Sequence, residues 1–115
     1  MSLSIETREV DGVVVVDLSG RITLGEESSG KLRSTVRDLL ANGNKNILLN
    51  LGDVDYIDSS GLGELVSSFS TASSQDAKVK LLNLQKKVKD LLQITKLYTV
   101  FEVSDSEADA ILSFS

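Results

Sequence analysis

The chain has no cysteine, no histidine, no proline and no tryptophan, and only three phenylalanines and two tyrosines among its 115 residues. Without cysteine there are no disulfides, thiolate nucleophiles or thiolate metal sites. Without histidine there is no Ser-His-Asp triad, no histidine phosphorelay within this chain, and almost no route to a zinc or non-haem iron site. Without proline there is no Pro-rich linker, and nothing hints at a second domain. No apolar run exceeds four or five residues, far short of a membrane span, and the first residues lack the apolar core of a secretion signal. These absences predict a soluble, intracellular, cytoplasmic protein. A chain of this length makes one domain and buries roughly two-thirds of its unfolded surface, so it needs no covalent staple.

What is present is a globular balance, 41% hydrophobic and 25% charged residues. The net charge of −5 is segregated. Residues 1–77 hold six Lys/Arg against twelve Asp/Glu. Residues 78–96 hold six lysines against Asp90 alone, and residues 97–115 hold four acids and no base. A nucleic-acid-binding domain would be basic overall, so direct nucleic-acid binding is not expected. The lysine segment reads either as a solvated helix face or as a docking surface for an acidic partner.

Period and turn chemistry order the elements. Leu3, Ile5 and Thr7 alternate with Ser4, Glu6 and Arg8; Asp11-Gly12 then precedes Val13-Val14-Val15-Val16. Asp-Gly between β-rich runs predicts a hairpin. Thr23-Leu24-Gly25-Glu26 has capping-box spacing, ahead of a helix with Leu32, Val36, Leu39 and Leu40 on one face and Asn42-Gly43-Asn44 as its stop. Ile47–Leu51 is apolar enough for a central strand covered on both sides. A loop is expected over Gly52–Asp58, then a helix burying Leu62, Leu65, Val66, Phe69 and Ala72. Val79–Leu82 follows as a strand, Val88, Leu91, Leu92 and Thr95 mark a helix, and Val100–Val103 a last short strand. Ser104-Asp105-Ser106-Glu107 repeats the capping spacing before a final helix with Ala108, Ile111 and Leu112. The order β-β-α-β-α-β-α-β-α predicts an α/β fold: a mixed, mostly parallel sheet opened by a hairpin and packed against about four helices.

The informative stretch is Asp53-Val54-Asp55-Tyr56-Ile57-Asp58-Ser59-Ser60-Gly61-Leu62-Gly63. It lies where a buried strand gives way to a helix, the place where open α/β sheets build sites. Asp58, Ser59 and Ser60 are all competent N-caps. Two roles stay open on these residues alone: a capped helix with a glycine-eased turn, or a site in which Gly61 and Gly63 let another backbone approach. Tyr56 reads as a half-buried packing residue and Leu62 as core. The acids Asp53, Asp55, Asp58 and Glu64 form an acidic neighbourhood. Magnesium there would need phosphates from a substrate, so no standing metal site and no cofactor are expected.

Asp58-Ser59-Ser60-Gly61-Leu62-Gly63 resembles the signature of the STAS domain family of sulphate transporters and anti-sigma-factor antagonists. The likeness spans the chain, residues 1–115, as a single domain. It includes the opening hairpin, Ser19-Gly20-Arg21-Ile22, Ile47–Leu51 and Lys80-Leu81-Leu82-Asn83. The resemblance implies a STAS-like fold and an anti-sigma factor antagonist that is phosphorylated on Ser59, the serine after the signature aspartate. It implies as partner an anti-sigma factor with a histidine-kinase-like ATPase fold, acting as the serine kinase. In the unphosphorylated state the antagonist captures this partner; phosphorylation releases it, and a PP2C-type phosphatase resets it. Arg21, Thr23, Asp55, Asp58, Ser60, Gly61, Leu62 and Gly63 would line the partner surface, and the chain itself would be a monomer or weak dimer. Thr23 stands where many antagonists carry an acid, and the stretch after Gly20 is about two residues longer than in the shortest of them. Both departures fall on the surface expected to meet the kinase.

Other classes fare worse. A hydrolase using Ser59 needs a base; no lysine is near it in sequence and no Gly-x-Ser-x-Gly elbow occurs, so no enzyme is expected. A receiver domain phosphorylated on Asp53 or Asp55 would open β-α rather than with a hairpin. Within the family, the alternative is a structural STAS subunit of a stress-signalling or lipid-transport complex without a phosphoswitch.

Overall fold

Asp11 and Gly12 both adopt positive φ (51° and 82°), the conformation a two-residue hairpin turn demands. They join strand β1 (Leu3–Val10) to its antiparallel neighbour β2 (Val13–Ile22). This computed structural model describes residues 3–23 and 30–115. The remaining order is α1 (Lys31–Ala41), β3 (Asn46–Ile57), α2 (Ser59–Ser73), β4 (Lys78–Leu82), α3 (Lys86–Ile94), a 3₁₀ turn (Leu97–Thr99), β5 (Val103–Ser104) and α4 (Glu107–Leu112). The five strands lie in the order β1-β2-β3-β4-β5, parallel from β2 onward. Among the described residues, the expected mixed sheet with four helices is what forms.

One face of the sheet is the main core. Val14, Val16, Leu18 and Ile22 of β2, with Ile47, Leu49, Leu51, Val54 and Ile57 of β3, pack against Leu32 and Val36 of α1, Leu65 of α2 and Leu92 of α3. The other face holds a smaller patch, Val13, Val15, Leu48 and Leu82, covered by Ala110 and Ile111 of α4 and by Phe114.

Four sequence expectations change. The supposed loop Gly52–Asp58 is strand almost throughout, because β3 runs on to Ile57. The pairing shows why its alternation was hard to see. Asp17 faces Asn50 but Ser19 faces Asp53, and Gly20 faces Val54 but Arg21 faces Tyr56. Each step gives β3 one residue more than β2, so two bulges break the period of two. The final strand is Val103–Ser104 rather than Val100–Val103, since Leu97–Thr99 coils as 3₁₀. The last helix is capped not at Ser104 but at Ser106, whose Oγ accepts from the Asp109 N–H. Leu91 is only half-buried and Thr95 exposed, so the buried side of α3 is Val88 and Leu92. The capping box proposed for Thr23–Glu26 lies, beyond Thr23, outside the described residues, as does most of the lengthened stretch after Gly20.

Candidate functional site at the start of helix α2

Asp58 sits between β3 and α2 in extended conformation, and its carboxylate accepts the Gly61 N–H at 2.9 Å. Its own N–H donates to the Ile22 carbonyl at the end of β2 (3.3 Å), while its carbonyl accepts from Leu62 N–H (2.9 Å). Asp58 therefore fixes the helix start to both the preceding strand and its neighbour. Gly61 is required by the same contact: a Cβ there would lie 2.0 Å from the Ile22 carbonyl oxygen. The close approach that Gly61 permits is internal, from β2, rather than from another protein. Leu62 is buried in the main core. Gly63 faces open space, with nothing within 4 Å of an added Cβ.

With the aspartate capping and the first glycine packed, Ser59 is left exposed in the first turn, and Ser60 half-buried behind it. Ser59 shares a cavity of about 550 Å³ with Tyr56, Ile57, Asp58, Leu62, Lys87, Leu91 and Thr95. The cavity lies between α2, α3 and the end of β3, and its walls are largely apolar.

Several expected residues meet here and others do not. Tyr56, expected to be half-buried, is 46% exposed beside the second bulge, and the Arg21 guanidinium lies 5.7 Å from its ring centroid. That cation–π contact brings Arg21 to the rim of the site. Thr23 is half-buried just past the end of β2, and Asp55 is exposed on β3. The acidic neighbourhood disperses. Asp53 borders a separate cleft with Asn50, Gly52, Asn83, Gln85 and Asp105 at the ends of the parallel strands. Glu64 is buried and turned into α1, where it accepts from the N–H groups of Gly30 (3.1 Å) and Arg33 (3.4 Å). It caps that helix, which starts after a left-handed Gly30 with no cap of its own. The lysine segment is divided too. Lys80 is buried, donates to Ser113 O and Oγ (2.8 and 2.9 Å) and pairs with Glu102 (2.8 Å), whereas Lys86, Lys87 and Lys96 are exposed.

Sequence reasoning missed the contribution of α3. Lys87, Leu91 and Thr95 recur every four residues, one stripe of a helix, and that stripe lines the site. A lysine is thus near Ser59 in space although not in sequence. It is exposed, whereas a lysine becomes a catalytic base where burial removes it from water.

The family model described as the STAS domain matches residues 4–110. Among curated proteins, the chain is 29% identical to the anti-sigma-B factor antagonist of Bacillus subtilis (strain 168), over 90% of this chain and 93% of that protein. It is 26% identical to the anti-sigma F factor antagonist of Paenibacillus polymyxa, over 96% of this chain and 94% of that protein. A crystal structure from Thermotoga maritima, 27% identical, superposes with a TM-score of 0.86 over 95% of this chain and 92% of that one.

Proposed function

Because this chain belongs to the STAS domain family, we propose that it is an anti-sigma factor antagonist switched by phosphorylation of Ser59. The observation that carries this reading is the division of labour in the signature: Asp58 caps, Gly61 clears the β2 carbonyl, and of the two serines Ser59 is exposed while Ser60 is half-buried. Near-full-length similarity to two antagonists supports it.

In this reading the partner is an anti-sigma factor that is also a serine kinase. The Ser59 hydroxyl oxygen attacks the γ-phosphorus of ATP held by that kinase. The bond between that phosphorus and the β–γ bridging oxygen breaks, ADP leaves, and the hydroxyl proton passes to a base on the kinase. A PP2C-type phosphatase hydrolyses the ester and restores the hydroxyl. The antagonist contributes only the acceptor and performs no catalysis of its own. Phosphate adds about −1.5 to −2 charges and three acceptor oxygens. The helix start tolerates that charge, so the fold persists while the surface formed by Arg21, Thr23, Asp55, Asp58, Ser60 and Gly63 around it becomes repulsive to the partner.

The test is incubation with the cognate kinase, ATP and magnesium, followed by phosphopeptide mass spectrometry and calorimetric titration. Phosphate should appear on Ser59 and vanish in Ser59→Ala. Ser59→Asp should melt near the parent yet bind the kinase roughly a hundredfold more weakly, about 2.7 kcal/mol. Phosphate on Ser60 instead would overturn the assignment. Equal binding by the parent, Ser59→Asp and the true phosphoprotein would favour a structural STAS subunit.

A further inference from the structure

We infer that Lys87 of α3 is the built-in counter-ion of a phosphate on Ser59, drawing it into the cavity between α2 and α3. The inference rests on the phosphoswitch reading for the identity of the modified serine, and on three observations of its own. Ser59 and Lys87 line the same recess. Lys87 makes no hydrogen bond or ion pair with any described residue, whereas the preceding Lys86 is paired with Asp90 at 3.0 Å. The recess between them is walled by Tyr56, Ile57, Leu62 and Leu91, which thins the solvent that would otherwise screen the pair.

Among the described residues, Lys87 is the cation that borders this recess. From α2 comes the Asp58 carboxylate, which accepts the Gly61 N–H. From β3 come Tyr56 and exposed Asp55, and from β2 comes Arg21, drawn to the Tyr56 ring. From α3 comes Lys87. A phosphate on Ser59 would therefore meet one uncommitted ammonium across an apolar wall. A dianion drawn toward it would also cover part of Tyr56 and Leu91. Phosphorylation would then act through shape as well as charge, closing a recess that is open when Ser59 is unmodified.

The experiment installs phosphoserine at position 59 during translation, so that it needs no kinase, and follows the phosphorus NMR signal with pH. Three chains are compared, each checked for folding by its amide spectrum: the parent sequence, Lys87→Gln, and Lys89→Gln as a lysine of the same helix outside the recess. The second phosphate ionisation should fall lower in the parent than in Lys87→Gln by about 0.3–0.7 pH unit, the scale of a partly exposed ion pair. Lys89→Gln should behave as the parent. Identical titrations in the parent and Lys87→Gln, or an equal shift in Lys89→Gln, would overturn the pairing. Binding of the anti-sigma kinase to the same phosphoserine chain separates the two ideas. Release without the titration shift removes Lys87 and keeps the switch; a shift without release keeps the pairing and removes the switch.

Discussion

On one face of the sheet, α1, α2 and α3 enclose a continuous apolar layer running from Leu18 and Ile22 through Leu49 and Leu51 to Leu65 and Leu92. On the other, the six-residue α4 covers a patch around Val15, Leu48 and Leu82, and polar pins hold it at both ends. Arg8 bridges Asp17 of β2 and Glu107 of α4, and Lys80 reaches the Ser113 carbonyl beneath the Phe114 ring. The comparison explains where the site is. Under the proposed phosphoswitch, a helix start that keeps its geometry through a change of about two charges belongs on the close-packed face, where shifts are costly, and α2 lies there.

The sharpest way to break this contrast is to truncate one large apolar side chain on each face. Leu49→Ala should cost about 2–5 kcal/mol in urea unfolding, the range for a fully enclosed leucine. Phe114→Ala removes a larger ring, but Phe114 follows the short helix α4, which can settle over the gap, so its loss should be less than half as great. Its hydrogen exchange should rise mainly in α4. Equal global losses would mean the two faces form one cooperative core.

The next effect compares two glycines in one turn. Gly61→Ala drives a methyl into the Ile22 carbonyl and should destabilise by about 1–3 kcal/mol. Gly63→Ala meets open space inside a helix and should stabilise by about 0.5–1 kcal/mol. Thermal melts of both decide it. A loss of kinase binding in Gly63→Ala alone would assign that open surface to the partner.

Much of this was legible in the residues. Asp11-Gly12 announced the hairpin, Ile47–Leu51 the central strand, and Asp58-Ser59-Ser60 a helix start, because each is decided by neighbours in sequence. What escaped was decided by partners far away. The bulges of β3 come from its register against β2, so Asp53–Tyr56 read as loop. Glu64 read as an acid on the surface because its partners, the amides of Gly30 and Arg33, stand more than thirty residues earlier. Lys87 read as one of six lysines, since its place beside Ser59 depends on how α3 packs.

Glu64 gives the third prediction. Among the described residues it supplies the only side-chain cap at the start of α1, whose own N-cap residue offers no side chain. Glu64→Ala should cost about 0.5–2 kcal/mol, the range for losing a helix cap, with faster amide exchange in the first turn of α1. Unchanged exchange there would show that the helix start is held by other means.

The smallest effect tests the charged pins of the second face, and its sign can be worked out. The Arg8 guanidinium holds the carboxyls of Asp17 and Glu107 below their ordinary range, with Asn50 assisting at Asp17. A carboxyl depressed in the folded state adds stability above its unfolded value, near pH 4, and that stability fades as pH falls through the folded value. Arg8→Gln should therefore cost about 0.2–1 kcal/mol at pH 7, since these groups are partly exposed, and less in high salt. The difference from the parent should shrink as pH drops below about 4. Glu102, lowered by Lys80 on the same face, is untouched by the substitution and should leave its own acid-side loss in both chains. If Arg8→Gln costs the same at pH 3 and pH 7 and in high salt, Arg8 acts through the packing of its stem. The second face would then be held, like the first, by contact rather than charge.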